Sequence, residues 1–247
     1  MQKYRWQIIL GLSLILLSAC FYLLHFFIFQ DSHHIFIFLL SDIAFIPIEV
    51  LIVTLIIHQF LNAREKQHIM EKLNMLIGVF YSEMGTSLVA HFSDLDPQLE
   101  KIQAKLTDEN NWNKKDYNQL KKKIESHDYS VEANKANFQA LKVFLHEKRP
   151  FLLNLIENPN LLEHETFTDL LLAVFHLAEE LEHRKDINTL PEDDCQHLCG
   201  DIQRAYRLLV YEWVVYMQYT KNEYPYLFSL ALRMNPFDRS SSVIVTE

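Results

Sequence analysis

From residue 6 to 29, and again from 34 to 61, the chain is apolar almost without interruption. Runs of that length match the roughly 20 residues a helix needs to cross the hydrocarbon of a bilayer. Beyond residue 61 the pattern becomes amphipathic, with apolar positions recurring at three- and four-residue intervals, and nothing alternates with the period of two that a strand requires. Residues 62–92 keep the helical period without a turn signal, so the second apolar helix is predicted to continue through them. Residues 93–113, with Pro97 and an Asp/Asn cluster, read as a connection carrying one short helix. Helices are then predicted over 114–127, 131–157, 162–185, 192–223 and about 225–233, with Pro150 breaking or kinking the second of these. The fold class expected is all-α: a two-span transmembrane helical hairpin (1–61), a cytoplasmic helical bundle (62–234) and a flexible, Ser-rich tail (235–247).

Charge orients this arrangement. Lys3 and Arg5 precede the first run, Arg64, Lys66 and Lys72 follow the second, and residues 30–34 between them contain no Lys or Arg. Positive residues collect on the cytoplasmic side, so both termini are placed there, at the inner membrane if the cell is bacterial. Leu17-Ser18-Ala19-Cys20 resembles a lipoprotein signal, but residues 21–29 stay apolar where a polar tether would follow a lipidated cysteine, so the intact span is preferred. A reducing compartment and only 3 Cys argue against a disulfide framework.

Composition excludes several classes of function. A net charge of -9 makes a nucleic-acid partner unexpected, although Lys114, Lys115, Lys121, Lys122 and Lys123 crowd one helix, either solvated or facing anionic headgroups. Residues 157–201 hold twelve acids against Arg184 and Lys185. With 4 Gly in the whole chain there is little material for phosphate-cradling loops. No G-x-G-x-x-G, Walker A, G-x-S-x-G or H-E-x-x-H pattern occurs, and no nucleophile stands beside a recognisable base. Enzymatic activity therefore has no support at this level, and no cofactor is implied apart from a possible divalent metal.

Three sets of residues carry candidate chemistry. Asp42 and Glu49 interrupt the second apolar run seven residues apart, on one helix face. Gly11, Ser18 and His25 repeat that spacing in the first run, and an antiparallel hairpin would bring His25 to the depth of Asp42 as its hydrogen-bonding or ionic mate. Glu49 has no such mate in its own hairpin and must be protonated, hydrated or paired across subunits. One reading makes it part of an ion or proton path in a homo-oligomer, the other a neutral packing group. Pro47 is expected to kink the helix beside it.

Gly78, Ser82 and Gly85 form the second set. Glycine inside a helix costs about 1 kcal/mol relative to Ala, so two of them on one face imply close backbone approach, either to a second copy of the chain or to the chain's own bundle. A continuous helix would then link Glu49 mechanically to the soluble part.

The third set is His176, Glu180 and His183 on one predicted helix and His197 and Asp201 on the next. His and carboxylate at these spacings are the donors of bundle metal sites, yet a di-iron centre needs an inward Glu or Glu-x-x-His from each of four helices, and the only other such pair is Glu65 with His68. The histidine face also lies opposite Leu170, Val174, Leu177 and Leu181, so solvent is its default surrounding, and a buried interhelical polar network is the stronger alternative to a metal site. Cys195-x-His197-x-Cys199 cannot share an ion on a regular helix, because both cysteines fall on the stripe of Leu198, Ile202, Tyr206, Leu209, Trp213 and Met217 while His197 points away. Glu212 and Arg204, on the same helix, need partners. The functional expectation is an integral membrane protein whose cytoplasmic helical domain serves interaction or regulation, contacting the lipid bilayer, further copies of itself and an unknown cytoplasmic protein. The alternatives are an oligomeric conduit using Glu49 and a membrane-tethered metal-binding bundle.

Overall fold

A computed structural model describes residues 2–107, 114–133 and 136–244. Residues 108–113 of the predicted connection, 245–247 of the predicted tail, and the side chains of Lys3, Arg5, Lys114 and Lys115 lie outside the described part. The protein is all-helical, with no strand among the described residues, and divides into two units, Met1–Glu65 and Lys66–Glu247.

The first unit contains α1 (Gln2–Phe29) and α2 (Ser32–Phe80) as far as Glu65. The connection is shorter than the sequence suggests. Gln30 adopts φ 48°, closing α1 by donating its N–H to Phe26 O at 2.8 Å. Asp31 Oδ1 then accepts the N–H groups of His33 and His34 at 3.0 and 3.1 Å, starting α2 at once. Both helices contain stretches long and apolar enough to cross a membrane, with mean hydropathies of 2.3 and 2.4 and none of those side chains buried within the protein. Pro47 lies inside α2 without ending it.

The second unit starts in the last turns of α2, where the structure departs from the predicted uninterrupted α-helix. A π turn, Tyr81–Gly85, separates α2 from α3 (Thr86–Ser93). It advances the buried face by a residue, so that Tyr81 and Val89 join Leu73, Ile77, Phe80, Met84 and Leu88 in the core. Gly85 permits this turn: a Cβ there would lie 2.7 Å from Phe80 Cε1 and 2.8 Å from Tyr81 Cδ1.

The remaining helices are α4 (Glu100–Thr107), α5 (Lys114–Glu125), α6 (Phe138–Ile156), α7 (Glu165–His183), α8 (Glu192–Glu223) and α9 (Pro225–Arg233). α6 starts seven residues later than predicted because Asn137 Oδ1 caps it, accepting from Ala140 N at 3.0 Å. Pro150 does not end it. α7 is capped by His164, whose Nδ1 accepts from Phe167 N at 3.2 Å.

The stripes of α7 and α8 form the centre of the core, with Leu170, Val174, Leu177 and Leu181 meeting Leu198, Ile202, Tyr206, Leu209, Trp213 and Met217 in one buried cluster. Fully burying such a side chain contributes roughly 1.5–3 kcal/mol.

The expected loose tail needs correction at its start. Asn235 is buried, and its side-chain amide donates to Leu106 O at 2.9 Å while its Oδ1 accepts from Phe237 N at 3.0 Å. Phe237 is buried edge-on against Trp213, with ring centroids 5.2 Å apart. A polar composition hides this anchor, because one aromatic side chain and one amide suffice to dock the segment.

Candidate metal centre

α7 and α8 pack along their apolar stripes, and this packing brings a polar edge of each helix together. His176 and Glu180 are one turn apart on α7; His197 and Asp201 are one turn apart on α8. Glu180, His197 and Asp201 offer ligand atoms that all lie within 4.8 Å of one another. His176 Nε2 stands 3.6 Å from Asp201 Oδ2 and 3.9 Å from Glu180 Oε1. His197 Nε2 stands 3.5 Å from Asp201 Oδ2 and 3.8 Å from Glu180 Oε2.

Asp201 is the focus of this cluster. Its side chain is 2% exposed, against 46% for His176 and 55% for His197. Oδ1 accepts from Arg204 Nη1 at 3.0 Å, whereas Oδ2 is buried with no hydrogen-bond partner and faces both imidazoles. A buried, unsatisfied carboxylate oxygen costs stability unless something neutralises it.

Arg184 organises the other acid. Its Nη1 donates to Glu180 Oε2 at 2.7 Å, while Nε and Nη2 hold Asp194 bidentately at 2.7 and 2.6 Å. The guanidinium beside Glu180 holds that carboxyl below the usual range, so it is ionised at neutral pH. Glu180 Oε1 still faces His176.

His183, grouped with this cluster by its position on the helical wheel, does not join it. It is exposed, and its Nδ1 pairs with Glu179 O at 2.8 Å, one turn back on its own helix. Nor is the histidine face simply solvated: α8 covers part of it, which one helix's periodicity has no means of showing. Cys199 is buried and Cys195 half-buried while His197 is exposed, so the three do not converge.

Elsewhere on α8, Arg204 finds its partner in Asp201, but Glu212 has only a distant one in His164. Its side chain is 0% exposed, neither carboxylate oxygen has a hydrogen bond, and His164 Nε2 is 4.0 Å away. Burial pushes the carboxyl up to about 7, against the lowering influence of the Thr166 hydroxyl and Lys121.

The other two sets fall differently from expectation. His25 and Asp42 do not form a pair among the described residues. They line one crevice of about 530 Å3 in the first unit, and the His25 ring lies against Phe29 of its own helix, centroids 4.8 Å apart. Glu49 is exposed, and no hydrogen bond or ion pair reaches it among the described residues. The close approaches at Gly78 and Gly85 are made within the chain. A Cβ on Gly78 would meet the Tyr216 ring of α8 at 3.2 Å, Gly85 accommodates Phe80 and Tyr81, and Ser82 is exposed.

Fold and cluster together define an all-helical protein in which two long apolar helices precede a helical domain with a His/carboxylate focus. Residues 69–233 match the family described as the C-terminal helical domain of uncharacterized protein MJ1433, and residues 2–61 match its N-terminal helical domain. The chain belongs to this family. It is 45% identical over 244 residues to uncharacterized protein MJ1433 of Methanocaldococcus jannaschii, covering 99% of this chain and 98% of that one. No solved structure matches.

Proposed function

We propose that this is a membrane-anchored metal-binding protein. α1 and the apolar part of α2 cross the bilayer as a hairpin with both termini cytoplasmic, and the helical domain binds one divalent transition-metal ion between α7 and α8. The observation that carries the metal reading is Asp201 Oδ2, buried, unpartnered and 3.5–3.6 Å from two imidazole nitrogens. Two donors bound to one tetrahedral ion at roughly 2.0–2.2 Å stand about 3.4 Å apart, so these side chains need close by only a few tenths of an ångström. Neutral imidazoles with carboxylates suit Zn2+, Mn2+ or Fe2+ better than the softer ions that prefer thiolates. The exposure of His176 and His197 leaves one side of the site open to water or a further ligand.

The test uses the full chain in lipid nanodiscs, stripped with chelator and titrated with Zn2+ and Co2+. One equivalent binds, Co2+ gives a visible spectrum of nitrogen and oxygen ligation, and Asp201→Asn weakens binding by about a hundredfold or more. Failure to hold a stoichiometric ion, or binding unchanged in Asp201→Asn, leaves an ionic network of two histidines, three acids and two arginines, and the metal reading falls. For topology, a membrane-impermeant maleimide reaches Gln30→Cys in intact cells and Ser241→Cys only after lysis. The reverse pattern overturns the orientation.

A further inference from the structure

The aromatic residues at the end of α8 do more than fill the core. With the last turns of α2, the π turn and α9 they line a cavity of about 380 Å3, open on one side and within the range of small-molecule sites. Trp213, Tyr216, Tyr219, Tyr224 and Tyr226 supply ring surface, and α9 adds Leu227 and Leu230. The back wall is preorganised. Tyr216 lies on the bare Cα of Gly78 and stacks on Tyr81 with centroids 5.6 Å apart and planes 17° apart, and Tyr81 is fixed by its hydroxyl donating to Leu209 O at 2.7 Å.

Two chemical features of the lining restrict the occupant. Although 22% of the chain is charged, the lining contains no Asp, Glu, Lys, Arg or His. Along one side, Asn74, Gly78, Ser82 and Thr86 follow one another at four-residue spacing, and the Asn74 amide and the Ser82 and Thr86 hydroxyls make no hydrogen bond to other described residues. The Thr220 hydroxyl, by contrast, is engaged with Tyr216 O and Met217 O at 3.0 and 3.1 Å. A carboxylate or phosphate would be desolvated here with no cation to meet it. A neutral molecule would lose nothing of the kind and would gain aromatic contact and a polar anchor.

We infer that this cavity binds an uncharged amphiphile, an apolar ring or chain ending in a hydroxyl, carbonyl or amide that hydrogen-bonds along the Asn74–Ser82–Thr86 edge. The inference is independent of the metal reading. Its ligand has two possible sources, a neutral lipid from the bilayer or a soluble aromatic alcohol, and both present the same chemistry.

Photolabelling of the full chain in nanodiscs tests it, with three diazirine probes: a long-chain alcohol, the matching fatty acid and a water-soluble benzyl alcohol. Adducts are mapped by mass spectrometry, and labelling of α1 and the apolar part of α2 by the two long-chain probes is the internal control. The fatty alcohol labels residues 74–86 and 213–234, whereas the fatty acid labels the apolar helices and spares the cavity. Cavity labelling by the fatty alcohol alone indicates a lipid, and labelling by the benzyl alcohol as well indicates a soluble ligand. Ser82→Trp, which fills the mouth from an exposed position, lowers cavity labelling several-fold and leaves the apolar helices unchanged; Ala231→Trp serves in its place if that variant misfolds. Equal labelling by alcohol and acid, no effect of either filling variant, or a cavity shielded from every probe by a second copy of the chain overturns the inference.

Discussion

Two acids on α8, about three turns apart, are almost equally removed from water and have opposite surroundings. Asp201 sits where two polar helix edges meet, with Arg204 on one oxygen and two imidazoles facing the other. Glu212 sits among apolar and aromatic groups, with the His164 ring 4.0 Å away and the Thr166 hydroxyl and Lys121 acting weakly on it. Burial alone therefore does not define a role. An acid ringed by donors able to converge on a cation is suited to holding one, whereas an acid ringed by hydrocarbon is suited to holding its own proton.

Crossing the two positions gives the largest expected effect. Asp201→Asn weakens metal binding by about a hundredfold or more in an equilibrium titration, and Glu212→Gln leaves it intact. Loss of binding in both variants would mean that the two acids belong to one cooperative network, and the contrast would collapse.

Next in size is the pH dependence of stability. The Glu212 carboxyl is raised from 4.5 to about 7, so between those values the unfolded chain releases its proton while the folded one retains it. Its contribution is fully present below about pH 4.5 and is lost as pH rises through 7, on the order of 3 kcal/mol in all. Relative to wild type, Glu212→Gln gains that amount on going from pH 4.5 to pH 8, read as the difference between the two denaturation curves at each pH. A difference that stays constant with pH would show that Glu212 titrates normally.

A smaller effect is expected at His164. Its Nδ1 accepts from the first turn of α7 and burial lowers its pKa, so it caps in the neutral form. His164→Ala should cost about 1 kcal/mol in chemical denaturation and His164→Asn much less, because Asn also caps.

Comparable in size is Arg204. Its side chain is 56% exposed, but it donates to a carboxylate that is 2% exposed, so Arg204→Ala leaves Asp201 Oδ1 buried without its donor and should cost about 1 kcal/mol. Removing a cation from beside Asp201 should at the same time raise metal affinity modestly in the same titration. A fall would mean that Arg204 is needed to aim Asp201.

Much of this architecture is readable in the order of the residues. The stripe from Leu198 to Met217 is buried where its period places it, as is that from Leu170 to Leu181, because each is a property of a single helix. The glycines at 78 and 85 signal close approach, but not that Tyr216 and the π turn account for it. The π turn itself leaves no mark in hydropathy. Phe237 lies in a polar segment, and periodicity says nothing about an isolated aromatic that docks on Trp213.

The candidate site follows the same division. Its residue types and their four-residue spacings on α7 and α8 are visible in the chain, yet the histidine face reads as solvated while only its own helix is considered. Likewise, nothing in the spacing of Tyr219, Tyr224 and Tyr226 shows that α9 folds back to leave them around a cavity.

The all-helical class, the apolar character of the first two helices, and the buried stripes of α7 and α8 are encoded locally, since hydrophobic periodicity needs no knowledge of neighbours. Whether Asp201 meets two histidines, Glu212 only one at 4.0 Å, and tyrosines wall a cavity depends on how helices distant in sequence cross. That crossing is set by side-chain packing summed over the whole core.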